Sequence, residues 1–111
     1  MALQPMDRSE RRQELHAELE ELLGSDNVYY EPPESFKMKY PCIVYTRENM
    51  SLRRADNRVY SHETEYQITY ISRTPDDDFI DEMIEYFGDV AHSRHFVSDK
   101  LHHDVFYIYR K

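Results

Sequence analysis

A chain of 111 residues is the size of one domain built around one core. Its formal net charge of −8 speaks against a duplex-binding protein, which carries a basic stripe to neutralise phosphates. Ten Tyr and five Phe lift it out of the disordered class, no run approaches the ~20 apolar residues of a membrane helix, and the single cysteine, Cys42, excludes an internal disulfide.

The opening residues lack the apolar stretch of a secretion signal, and a lone thiol suits a reducing cytosol. Leu15, Leu19, Leu22 and Leu23 then recur at helical spacing as one apolar stripe. Asp7 and Glu10 precede the stripe with capping-box spacing, and Gly24 follows where a left-handed residue ends a helix. Residues 28–30 read as a short strand closed by Glu31-Pro32-Pro33, a bend or a sheet edge, because Pro-Pro cannot continue a paired strand. Residues 40–46 form the most apolar strand, with Cys42 and Val44 on one face and Ile43 and Tyr45 on the other.

The segment 47–62 has no apolar periodicity. A connection of that length predicts either a long loop or an extended hairpin arm turning near Asp56-Asn57. Residues 64–72 alternate cleanly, Tyr66, Ile68 and Tyr70 against Glu65, Gln67 and Thr69, and Ile71 predicts burial on both faces near that end. Thr74-Pro75-Asp76-Asp77 predicts a helix start, with Thr74 as cap, Pro75 at the first helical position and the acids toward the positive end of the dipole. Phe79, Ile80, Met83, Ile84 and Phe87 are its expected buried stripe, and Gly88 its stop. Residues 94–97 and 104–110 read as a hairpin joined through 98–103. The order αβββαββ predicts an α+β fold in a single domain over residues 1–111: a mainly antiparallel sheet of 4–5 strands with two amphipathic helices on one face.

Catalytic chemistry is hard to place on these residues. Both glycines fall at helix ends, so none is left for a phosphate-cradling turn. No serine stands in an exposed nucleophile elbow, and Cys42, following Pro41 in an apolar strand, reads as an inert core thiol. His92, His95 and His102-His103-Asp104 would form a His/carboxylate group if the hairpin joined them, but adjacent histidines entering a strand point to opposite faces. Asp76-Asp77-Asp78 is accounted for by the helix start. The expectation is a protein that is not an enzyme, with no cofactor and no metal. Ten tyrosines exceed what so small a core can hold with every hydroxyl satisfied, and Tyr and Arg are the types enriched at protein interfaces.

Charge is unevenly spread. Residues 74–91 hold seven acids and no Lys or Arg, whereas residues 47–58 hold four Arg against Glu48 and Asp56. Such runs are either solvated faces or complementary surfaces on one subunit.

Taken in order, Tyr29-Tyr30-Glu31-Pro32-Pro33, Met38-Lys39-Tyr40-Pro41-Cys42-Ile43-Val44-Tyr45, Ala55-Asp56-Asn57-Arg58, Thr74-Pro75-Asp76, Arg94-His95-Phe96-Val97 and His103-Asp104-Val105-Phe106 resemble the small tail-terminator proteins of phages with long non-contractile tails. The resemblance implies a small α/β sandwich and a homohexameric ring that caps the head-proximal end of the tail tube and stops its polymerisation. It implies the tail tube protein and a head-completion (stopper) protein as partners, with genomic DNA passing through the ring without sequence-specific binding. It also implies a place in the virion neck after assembly in the host cytoplasm, without a membrane. Another neck ring protein of the head-closure type, or an acidic adaptor or inhibitor that mimics nucleic acid, are the alternatives. A cyclic ring needs two different patches on each copy. The charge pattern nominates Arg47, Arg53, Arg54, Arg58 and Tyr60 for one, and Asp77, Asp78, Asp81, Glu82 and Glu85 for the other.

Overall fold

The computed structural model describes residues 8–55 and 58–110, with side chains described for 9–48 and 63–110. The proposed cap Asp7 lies outside the described residues. Seven elements follow in the expected order: α1 (Arg8–Leu23), β1 (Val28–Tyr30), β2 (Cys42–Ala55), β3 (Arg58–Ser72), α2 (Phe79–Phe87), β4 (Ala91–Ser98) and β5 (Leu101–Arg110). The strands form one sheet ordered β1-β2-β3-β5-β4, antiparallel except for β1 beside β2. The protein is a single α+β domain.

Register explains which face is buried. Ile43 lies opposite Tyr70, which lies opposite Asp104; Tyr45, Ile68 and Phe106 form the next row. Directly opposed residues share a face, so these rows, with Tyr66 and Ile108, make one buried surface that is apolar apart from Asp104. Leu15 and Leu19 of α1 and Phe79 and Met83 of α2 pack on it, with Leu22, Leu23, Ile80 and Phe87 at the margin. Both helices therefore cover the same side. Ile71 is buried on the opposite side, across from Cys42, as the break in alternation predicts. Burial pushes the Cys42 thiol up to about 12, which keeps it protonated and unreactive.

Helix ends follow backbone chemistry. Gly24 (φ +80°) and Gly88 (φ +71°) take positive φ values, and the Gly88 N–H donates to the Ile84 carbonyl at 3.0 Å. After β1, Glu31 adopts φ +44°, donates its N–H to the Tyr45 carbonyl and accepts the Thr46 hydroxyl at 2.7 Å. The chain thus leaves the sheet edge without orphaning the end of β1.

The start of α2 corrects the sequence expectation. Thr74 and Pro75 lie in a bend ahead of the helix, which begins at Phe79. The reason is Asp77. Its Oδ2 accepts from Tyr70 Oη at 2.6 Å and from Ser72 Oγ at 3.2 Å, and its Oδ1 accepts from the Phe79 N–H at 2.9 Å. That carboxylate holds the loop against β3 and delays the first turn. Burial alone would raise the Asp77 pKa, but the bonds from Tyr70, Phe79 N–H and Ser72 outweigh it and hold the carboxyl below its usual 3.8. A depressed folded-state value means stability that is complete above the unfolded value and lost as pH falls through the folded one. Asp77→Asn is expected to cost about 1–2 kcal/mol at neutral pH. The gap to wild type should close in acid. Urea unfolding at pH 7 and pH 2.5 measures both, and an equal gap at the two pH values would contradict this assignment.

The β4–β5 link is also tighter than expected. The hairpin turns through Asp99 (φ +52°) and Lys100 (φ +64°), so residues 101–103 belong to β5 rather than to a loop. Two consecutive left-handed residues match the right-handed twist of the flanking strands.

Candidate functional site

Beyond Thr64 the sheet narrows to two strands. β3 pairs with β5 only over Thr64–Ser72, while its pairing with β2 continues to Ala55 opposite Arg58. Segment 47–62 is therefore the hairpin form of the two expectations. Its free part runs roughly 20 Å beyond the third strand at the usual rise per residue, and the molecule measures 51 × 28 × 28 Å. Register shifts occur between Arg47 and Asn49 and between Arg53 and Arg54. Such bulges add twist and aim an exposed ribbon. Arg53 sits opposite Ser61 and Arg54 opposite Val59, which puts the backbones of Arg53, Arg54, Arg58 and Tyr60 in the outer half of the arm. Their side chains lie outside the described residues, as does the turn at Asp56-Asn57.

Two-stranded ribbons are marginal alone in water. Arm amides in the free subunit are expected to exchange about tenfold or more faster than those of 64–71, and to slow on assembly. Hydrogen exchange followed by mass spectrometry reads this directly. Equal protection of the arm in monomer and assembly would rule out ordering of the arm by a neighbour.

The acidic group lies elsewhere on the subunit. Asp78, Asp81, Glu82 and Glu85 are exposed along α2. Asp77 is not part of that row, because its carboxylate is engaged inside the fold. Ile84, placed in the buried stripe by its spacing, is 42% exposed instead. A nine-residue helix offers the core little more than two turns, and Phe79 and Met83 take the buried positions. The result is an apolar side chain flanked by acids, the composition of an interface core with a charged rim. Nearby, Glu18 of α1 accepts from Tyr86 Oη at 2.9 Å and pairs with Arg110 Nη2 at 2.6 Å, joining both helices to the last strand.

The histidines do converge. His92 Nε2 and His95 Nδ1 each lie 3.0 Å from one Asp104 oxygen, and His102 Nδ1 lies 3.3 Å from His95 Nε2. Asp104 is buried, so the two imidazole N–H groups satisfy a carboxylate that would otherwise be costly. His103 points the other way and stacks on Phe96 at 4.6 Å. Among the described residues, no group of three or more His, Cys, Asp or Glu is arranged to hold a metal ion. No described helix is long and apolar enough to cross a membrane.

Arg47 stands apart from the other nominated arginines. It sits at the base of the arm, where it lines a cavity of about 290 Å3 with Ser9, Arg12, Tyr30 and Tyr66. Four of these five were not singled out together by the sequence. The five come from α1, β1, β2 and β3, and only the register that sets Arg47 opposite Tyr66 reveals the grouping.

Comparison with protein-family models gives no match, and comparison with curated proteins gives no significant relative.

Proposed function

We propose that this protein is a structural ring subunit of the tail-terminator type, without enzymatic activity. In this reading it caps the head-proximal end of a phage tail tube, halts tube polymerisation and offers a joint to head-completion proteins. The observation that carries the reading, beside the sequence resemblance, is the separation of two complementary patches. The arginine-bearing arm projects from one end of the sheet, while the exposed acids and Ile84 of α2 lie over the helix-covered face. A contact between the arm of one copy and α2 of the next is heterologous, and heterologous contacts close into a ring when the rotation from copy to copy closes. DNA in such a ring would meet a subunit of net charge −8, which suits passage better than binding.

Deleting the gene and imaging particles by electron microscopy tests the function itself. Overlong or headless tails support a terminator, and tails of normal length joined to filled heads would refute it. An acidic mimic of nucleic acid makes a different prediction, a one-to-one complex with a basic partner that dissolves as salt rises.

A further inference from the structure

Among the described residues, the cavity lined by Ser9, Arg12, Tyr30, Arg47 and Tyr66 holds two guanidinium groups and no acid. Neither arginine takes part in the ion pairs His16–Glu20, His92–Asp104, His95–Asp104 and Arg110–Glu18. Arg12 is nevertheless held in place. Its guanidinium lies 4.4 Å from the centre of the Tyr30 ring and sits beside the Tyr45 hydroxyl, where it opposes the upward push that burial gives that phenol. Tyr66, only 2% exposed, forms a fixed wall, and the Ser9 hydroxyl adds a small polar group at the rim. A preorganised cation facing a second cation across an aromatic-walled hollow is a site waiting for an anion, because the ordering cost has been met before binding.

We propose that this cavity receives a carboxylate side chain, Glu or Asp, presented by an acidic peptide segment of another protein chain. Carboxylate geometry matches the planar fork of Arg, which donates two parallel N–H bonds. The tyrosine rings would flank the methylenes of the incoming side chain, and a hollow of this volume is at the small end of ligand pockets, the scale of one side chain rather than a nucleotide. Phosphate sites are usually built from backbone N–H groups at glycine-rich turns, and no glycine is among the five lining residues. The site does not depend on ring formation, and it stands or falls separately from the function proposed above.

Amide NMR of the full chain provides the test, with N-acetyl-glutamate N-methylamide as probe, the corresponding glutamine compound as neutral control and inorganic phosphate as the competing anion. The glutamate probe should shift the amides of Ser9, Arg12, Tyr30, Arg47 and Tyr66, and the glutamine probe should leave them in place. Arg47→Gln, an exposed substitution at the rim, should weaken binding about tenfold, the scale of one charge-assisted hydrogen bond. Arg12→Gln should do the same, and its spectrum reports whether the fold survives loss of the Tyr30 contact. No shift at these amides, equal shifts with glutamine, undiminished binding by Arg47→Gln, or tighter binding of phosphate than of glutamate at the same amides would each overturn the proposal.

Discussion

If the proposed ring forms, a subunit carrying Arg53→Glu and Arg54→Glu is expected to stay a folded monomer where the unaltered chain assembles. The two positions lie on the outer arm, past the last row that β5 supports, so their reversal leaves the core untouched. Each exposed ion pair is worth only about 0.2–1 kcal/mol, so the loss comes less from missing attraction than from setting like charges against the acids of the neighbour. A ring multiplies that penalty over every interface. Reversing Asp81 and Glu85 to Lys in the same chain should restore assembly in part. Sedimentation velocity gives the mass and circular dichroism the fold. Rings formed by the Arg53/Arg54 variant at ordinary salt would dismiss the pairing, and rescue by the compensating pair would establish it. Tyr60, on the same arm, is then the candidate for the buried anchor that charges alone do not provide.

The largest effect on stability is expected at Phe106. It is fully buried in the row formed with Tyr45 and Ile68, and His92 meets its ring edge-on at 5.1 Å. Phe106→Ala should cost about 3–5 kcal/mol through lost transfer energy and the cavity left behind. That is a large part of the ~5–15 kcal/mol that holds a domain folded. Ile84→Ala supplies the contrast. An exposed residue should change the urea midpoint very little, yet weaken assembly if α2 is an interface. If Ile84→Ala destabilises the monomer as much as Phe106→Ala does, the exposed placement of Ile84 is wrong. If it changes neither stability nor assembly, α2 is not the interface.

Some of this architecture is legible in the chain because local and global preferences agree there. Gly24 and Gly88 are the only glycines, and both end helices. The alternation of Tyr66, Ile68 and Tyr70 marks the central strand because one face is buried and the other is not. Other features hide because a long-range contact overrides the local signal. Thr74-Pro75 is a sound helix opening, but the grip of Tyr70 and Ser72 on Asp77 holds the chain in a bend past it. The turn at Asp99-Lys100 carries no Gly or Asn, so nothing marks its left-handed backbone, and His102 and His103 read as loop although both are paired in β5. The candidate interface is legible only as charge blocks: composition separates arginines from acids, but the internal role of Asp77 and the outward placement of Ile84 depend on packing. The Arg12–Arg47 hollow is invisible in the sequence because its lining comes from residues up to 57 positions apart (Ser9 to Tyr66).

The two outer strands bear on how the molecule behaves in company. β1 is three residues long and runs parallel to its neighbour, and β4 is distorted between His92 and Arg94, with a cation exposed beside the irregularity. Open rows of backbone donors and acceptors ordinarily invite another chain to zip on, and short length, distortion and charge are the means by which proteins refuse it. Lateral zipping is thus discouraged along β1 and β4, by brevity at the one and by distortion and charge at the other.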